Sequence, residues 1–89
     1  MTETEQAIAD YIRSEFLRDQ PDAVLATDEP LIQTGVIDSL GIFLLIGFLE
    51  ERFNVTVDPK DVVLDNFETI DAITALVNAR RTSNTSSER

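Results

Sequence analysis

The chain has 89 residues, of which 17 are acidic and seven basic, so its net charge is −10, and it contains neither Cys nor His. This length predicts a single domain with a small core. The composition excludes disulfides, zinc fingers and catalytic Cys or His groups. Acidity argues against nucleic acid as a partner, because phosphates would be repelled. It keeps a small protein soluble and also favours partners that have basic docking patches.

The N-terminus and the length of the apolar runs predict a cytoplasmic protein, and we expect it to be a monomer. The N-terminal residues 1–5 are acidic and lack the basic start of a signal peptide. The longest apolar run, residues 41–49, is shorter than the roughly 20 residues that span a bilayer, so no transmembrane segment is predicted. The acidic residues between 58 and 68 lack the order of a calcium loop, and we predict no metal site.

The first predicted helix covers residues 3–18. Thr2 and Glu5 have the spacing of a capping box, and apolar residues follow at helical spacing. A long loop then extends to residue 38 and is interrupted by Pro and Gly. Its apolar residues predict that the loop is held against the core; they are Val24, Leu25, Leu31, Ile32, Val36 and Ile37.

The second predicted helix, from Ser39 to about Phe53, is apolar on both sides. At about 100° per residue, one arc forms a core face of Ile42, Leu45, Ile46, Leu49 and Phe53. The opposite arc includes Leu40, Phe43, Leu44 and Phe48. A domain this small cannot bury both arcs, so the second is predicted to be an exposed interaction surface. Gly41 and Gly47 weaken a helix, and either close packing or tolerated drift explains them.

The remaining segments complete an all-α fold. Residues 53–57 are predicted to form an extended connector with Val55 and Val57 in the core, followed by a short helix over residues 60–64. Thr69 is a good N-cap for the last helix. We predict a small antiparallel bundle of three long helices plus one short helix, with a long first loop. The domain covers residues 1–81, and residues 82–89 form a disordered polar tail.

The hexapeptide Gly35-Val36-Ile37-Asp38-Ser39-Leu40 stands at the start of the second helix. Ser39 is predicted to be exposed at a helix N-terminus, where free backbone N–H groups and the helix dipole favour an anion such as phosphate. Asp and Ser are also the residues that helices prefer as N-caps. Capping alone is therefore an alternative interpretation of both residues.

The segment from Leu31 to Phe53 resembles the phosphopantetheine-attachment region of acyl and peptidyl carrier proteins. It contains the signature Gly-x-x-Asp-Ser-Leu and the apolar helix that follows, and the resemblance spans about residues 5–80. The resemblance implies that Ser39 Oγ receives 4′-phosphopantetheine from coenzyme A. It also implies that Asp38 helps orient the phosphate or the transferase's magnesium. Leu40 would pack against the docking enzyme or the arm.

The same resemblance implies a carrier, not an enzyme, and Ser39 has no neighbouring His or Lys to activate it. Its cargo would be an acyl or aminoacyl thioester in a fatty-acid, polyketide or nonribosomal-type pathway. The implied partners are a phosphopantetheinyl transferase, a loading ligase or acyltransferase, and downstream enzymes.

Gly41 and Leu44 stand where fatty-acid carriers have acids, so the chain is more similar to D-alanyl and specialised stand-alone carriers. The sequence does not specify the cargo. An alternative function is an unmodified helical adaptor that binds a partner through Leu40, Phe43, Leu44 and Phe48.

Overall fold

The computed structural model describes residues 2–20 and 22–87, with side chains as far as residue 81. Across these ranges the chain forms three α-helices and no strand. The helices are α1 (Glu3–Phe16), α2 (Ser39–Phe53) and α3 (Ile70–Ser87). The all-α class is confirmed, and α1 ends two residues earlier than the sequence predicted. No helix of the described residues is both long and apolar enough to cross a membrane.

The predicted short helix over residues 60–64 is replaced by two 3₁₀ turns, Pro59–Asp61 and Leu64–Asn66. Asp58 caps the first turn, and the Val62 N–H donates to the Pro59 carbonyl, which closes the turn after three residues. Val63 is then extended, with φ −128° and ψ 150°. Two consecutive β-branched residues disfavour helix, so the segment divides at this point.

The core is formed by the inner faces of all three helices together with single residues from the loop and the connector. α1 packs mainly on α3, and α2 packs on α3 beside it. The largest fully buried side chains are Phe67, Ile8, Ile12, Leu31, Ile37, Leu45, Leu49, Ile70, Ile73 and Val77. The predicted core face of α2 is buried except for Ile46, which is partly buried.

The long loop between α1 and α2 is held at the core by three buried apolar residues spread along its length. Leu25, Leu31 and Ile37 are buried, and Ile32 and Val36 are partly buried against them. The prediction for Val24 was wrong, because its side chain is 89% exposed. Val24 and Leu25 lie in a non-helical stretch, where neighbouring side chains point in opposite directions and only one of them reaches the core.

Two backbone hydrogen bonds attach the loop to the start of α3. The Leu31 N–H donates to the Glu68 carbonyl at 2.7 Å, and the Asp71 N–H donates to the Thr27 carbonyl at 2.9 Å. Thr69 caps α3 as predicted, since its Oγ1 accepts from the Ala72 N–H at 3.0 Å. These bonds bring the residues before α2 close to the residues before α3.

The connector after α2 is extended, and Val55 and Val57 are buried as predicted. Asn54, in the left-handed conformation with φ 55° and ψ 47°, ends the helix. The Glu50 carboxylate accepts from the Val57 N–H at 2.9 Å, so it holds the connector against α2. The backbone of α3 continues to Ser87, six residues into the predicted tail, while the side chains of residues 82–89 lie outside the described part. The domain boundary at 81 and the disordered tail therefore stay predictions.

Candidate modification site at the start of α2

The approach to α2 is a tight turn that depends on Gly35. Gly35 has φ +82°, a conformation that side-chain-bearing residues rarely adopt. The turn lets the N–H groups of Val36 and Ile37 both donate to the Leu31 carbonyl, at 2.9 and 3.1 Å. Ile37 is buried as a result, and the next residues emerge at the surface.

Asp38 is the N-cap of α2. Its backbone is extended, its Oδ1 accepts from the Gly41 N–H at 2.7 Å, and its carbonyl accepts from the Ile42 N–H at 3.0 Å. Ser39 is therefore the first helical residue and not the cap. The capping interpretation applies to Asp38 and leaves the Ser39 hydroxyl without a local structural role.

Ser39 is exposed, and its hydroxyl makes no hydrogen bond within the described part of the chain. The backbone N–H groups of Ser39 and Leu40 precede the first intrahelical bond, so they face solvent as unpaired donors. The first turn of α2 contains no acidic residue. A phosphate on Ser39 would meet free N–H donors and the positive end of the dipole. The acid next to it is Asp38, whose Oδ1 is already bonded to the Gly41 N–H, so the site fits a phosphate group.

An exposed apolar surface continues from Ser39 along α2. It consists of Leu40, Phe43 and Leu44, whose side chains are 68%, 66% and 49% exposed, and we call it the outer strip. Phe48 was predicted to belong to it and does not. Its ring stacks on Tyr11 of α1, with centroids 4.1 Å apart and an interplanar angle of 11°. α1 covers that flank of α2 and removes Phe48 from the exposed face.

The two glycines of α2 occupy different surroundings. A Cβ on Gly41 would lie 2.9 Å from Phe16 Cε1 and 3.2 Å from Asp38 Oδ1, whereas a Cβ on Gly47 would meet nothing within 4 Å. Close packing therefore explains Gly41, and no packing constraint explains Gly47. Phe16 is a residue that sequence reasoning did not connect with the site. The sequence feature that could have indicated a close neighbour at this position was the glycine in the first turn of an apolar helix.

The acidic side chains do not assemble a metal site within the described residues, where no group of three or more carboxylates converges. Glu50 and Glu51 are adjacent acids, and in a sequence such a pair is typical of a solvated face. Glu50 is instead partly buried and bonded to Val57, while Glu51 is exposed. Only Asp38 places a carboxylate beside Ser39 in sequence, and no hydrogen bond within the described chain occupies its Oδ2.

Fold and site together define a small helical domain that presents a serine at the open start of an apolar helix. Residues 6–77 match the family described as phosphopantetheine attachment site. The chain is 30% identical over 73 residues to a probable acyl carrier protein, PigG, of Serratia sp., which covers 82% of this chain and 83% of that protein. It is 32% identical over 71 residues to a D-alanyl carrier protein of Streptococcus suis, covering 80% of this chain and 86% of the relative.

The chain therefore belongs to the phosphopantetheine-attachment family of carrier proteins. The family prediction is confirmed, and so is the cofactor, 4′-phosphopantetheine. Carrier proteins are non-catalytic, and they work with partner enzymes such as transferases and ligases.

Proposed function

We propose that Ser39 carries 4′-phosphopantetheine and that the chain is a cytoplasmic carrier of an acyl or aminoacyl cargo. One observation carries the proposal. Ser39 is exposed at the first position of α2 with an unbonded hydroxyl, while the neighbouring Asp38 does the capping. Because Asp38 makes the capping hydrogen bond, the Ser39 hydroxyl can be modified without loss of that bond.

Attachment requires a bond between Ser39 Oγ and the phosphorus of coenzyme A that bears the pantetheine. The pyrophosphate bond breaks, and the adenosine bisphosphate portion leaves with the electron pair. The serine proton passes to a base of the transferase, because the chain has no His and no Lys close to Ser39 in sequence. Asp38 Oδ1 stays on the Gly41 N–H, and Oδ2 remains available to the transferase's magnesium. Once attached, the arm supplies a thiol that holds the cargo as a thioester.

The outer strip is our proposed docking surface for the transferase and for the enzyme that loads the cargo. It begins at Leu40, directly after Ser39, and continues one turn along α2 through Phe43 and Leu44. A contiguous apolar surface of this kind favours a partner with an apolar groove. The loader is thus an adenylating ligase or an acyltransferase whose contact with α2 depends on burial more than on charge.

The cargo belongs to a dedicated pathway in this proposal. Gly41 is buried, so this chain has no place for the acid that fatty-acid carriers have after Asp-Ser-Leu. The names of two relatives, a probable acyl carrier protein and a D-alanyl carrier protein, support either acyl or aminoacyl cargo. An unmodified adaptor would use the same outer strip and would leave Ser39 bare.

Intact-mass analysis separates the carrier from the adaptor. The purified chain, incubated with coenzyme A, magnesium and a broad-specificity transferase, should gain the mass of one phosphopantetheine, and Ser39→Ala should gain none. Ser39→Ala should change the free energy of unfolding by no more than about 0.5 kcal/mol, because the cap is Asp38. A wild-type chain that gains no mass supports the adaptor, and a labelled Ser39→Ala variant contradicts the site.

Asp38→Asn supplies a sharper control. Asn caps helices about as well as Asp, so the free energy of unfolding should stay within about 0.5 kcal/mol of wild type. The charge that faces the transferase's metal is lost, so labelling should slow about tenfold or more. Equal labelling rates for the two proteins would limit Asp38 to capping.

A further inference from the structure

The ring of Phe16 occupies the space where a side chain at position 41 would stand. Phe16 Cε1 and Cζ lie 2.9 and 3.2 Å from the position of a Gly41 Cβ, and real Cβ atoms do not approach neighbours to 2.9 Å. Gly41 is buried although it lies in the first turn of a helix whose neighbours Ser39 and Leu40 are exposed. The end of α1 therefore covers one side of the modification site.

The ring is itself held in place. Phe16 packs edge-to-face on Tyr11, with centroids 6.1 Å apart and planes at 85°. Tyr11 is fixed to α2 twice, because its ring stacks on Phe48 and its hydroxyl donates to the Leu44 carbonyl at 3.2 Å. Aromatic pairs of these geometries are favourable beyond their burial. A displacement of Phe16 would therefore disturb a connected set of contacts between α1 and α2.

Position 41 is also where the Asp38 cap is made. The Gly41 N–H is the donor that Asp38 Oδ1 accepts at 2.7 Å, and the same oxygen lies 3.2 Å from the position of a Gly41 Cβ. The Phe16 ring therefore borders the residue that donates the capping hydrogen bond. Ser39 stands between Asp38 and Gly41 in the chain, so its direction depends on both.

We propose that Phe16 is a positioning residue for phosphopantetheine attachment. It packs on Gly41 and holds the first turn of α2 in the arrangement in which Asp38 caps the helix and Ser39 faces outward. This inference rests on the proposed function of Ser39. It adds that α1, which contributes no residue to the Asp-Ser-Leu signature, determines how that signature is presented.

The test measures the effect of Gly41→Ala in two backgrounds. In the wild-type background the added methyl group meets Phe16, and kcat of transferase labelling should fall about tenfold with little change in KM, since the outer strip is intact. In a Phe16→Leu background the two ring atoms that cause the contact are absent. There the same Gly41→Ala change should alter kcat by less than about twofold, because the two positions are coupled.

Gly47→Ala is the matched control. It adds the same methyl group to the same helix, but in open space. Labelling should stay within about twofold of wild type, since nothing is displaced. Amide hydrogen exchange gives a readout that does not depend on the transferase. Exchange at residue 41 should become about tenfold faster in Gly41→Ala and also faster in Phe16→Leu alone, because either change weakens the bond to Asp38. Adding Gly41→Ala to Phe16→Leu should then change exchange by less than about twofold.

Three results would overturn the inference. Labelling of Gly41→Ala at the wild-type rate would mean that the ring moves aside freely. An equal loss in both backgrounds would mean that Phe16 does not act through position 41. If Gly41→Ala does not fold, Phe16→Leu alone decides, and unchanged exchange at Gly41 with unchanged kcat would contradict the proposal. A wild-type chain that accepts no label would instead refute the function of Ser39, which is a separate outcome.

Discussion

α1 and α2 have nearly the same length, 14 and 15 residues, but they begin and pack in different ways. α1 starts with a complete capping box and two acids in its first turn, and it buries a single face. α2 starts with one capping bond and no acid in its first turn, and it carries apolar residues on both faces. The positive end of α1 faces two carboxylates in its first turn, whereas that of α2 faces only the N-cap carboxylate of Asp38.

This difference assigns separate roles to the two helices. α1 contributes one buried face to the core, and its aromatic residues Tyr11 and Phe16 also pack beside α2. α2 presents Ser39 and the outer strip to solvent. A helix that serves a partner keeps apolar residues which contribute little to its own fold. The two faces of α2 should therefore respond to mutation in different ways.

The largest expected effect is on the inner face of α2. Leu49 is completely buried, and Leu49→Ala should reduce the free energy of unfolding by about 2–5 kcal/mol through lost burial and a residual cavity. Phe43 is 66% exposed, and Phe43→Ala should cost less than about 1 kcal/mol. Denaturant titration of both variants measures this. Equal losses at the two positions would contradict the separation of the faces.

The second effect concerns partner binding by the outer strip. Leu44→Glu should lower the loading efficiency of the cognate enzyme about tenfold, because a charge would be buried in an apolar contact. The fold should be spared, since Glu is well tolerated at an exposed helix position. Loading by the wild type should depend only weakly on salt, because screening affects charge pairs more than apolar contacts.

Thr56→Glu is the matched control for that experiment. Thr56 is exposed in the connector beyond the far end of α2, so the variant has the same added charge away from the outer strip. Its loading should equal that of the wild type. If Leu44→Glu loads as well as Thr56→Glu, and wild-type loading collapses between low and moderate salt, charge drives docking and the outer strip has another role.

The sequence was sufficient for the positions of the three α-helices and for most of the core, but not for the two 3₁₀ turns that replace the predicted short helix. Helical periodicity identified the inner face of α2, and the Asp-Ser-Leu signature predicted the modification site, which stays a prediction. It was not sufficient to decide which residue caps the helix, because Asp and Ser are both good N-caps and differ here by one position. The answer decides whether the Ser39 hydroxyl is used in a capping hydrogen bond. The backbone conformation of Asp38, which makes Asp38 the N-cap, was needed to give that answer.

Contacts between elements were also beyond sequence analysis. Phe48 was predicted to lie on the exposed arc of α2 together with Leu40, Phe43 and Leu44. Its burial depends on which side of α2 is covered by α1, and this is determined by helix packing and not by the sequence of α2 alone. The same holds for Phe16 over Gly41 and for Glu50 on the Val57 N–H. Each of these contacts joins residues of different elements, and the periodicity within one element does not predict such a contact.

The smallest expected effect is at the start of α1, and it tests whether the two helix starts are independent. Glu5 accepts from the Thr2 N–H at 2.7 Å, and this backbone hydrogen bond is the main cause that lowers the pKa of Glu5 below its usual value of 4.5. A carboxylate with a lowered pKa in the folded state adds stability above its unfolded pKa, and this contribution is lost as the pH falls through the folded value.

Glu5→Gln keeps an oxygen for the Thr2 N–H but does not titrate. Between about pH 5 and pH 3, the free energy of unfolding should therefore fall slightly more steeply for the wild type than for the variant, because only the wild type takes up the extra proton on unfolding. The difference is small, since the carboxylate is at the surface and solvent screens it. Urea titrations across this pH range measure it.

Labelling of Ser39 at neutral pH should be identical in the two proteins, because Glu5 neutralises the dipole of α1 and not that of α2. Parallel pH curves would show that the hydrogen bond does not shift the Glu5 titration, and slower labelling would show that the two helix starts are coupled.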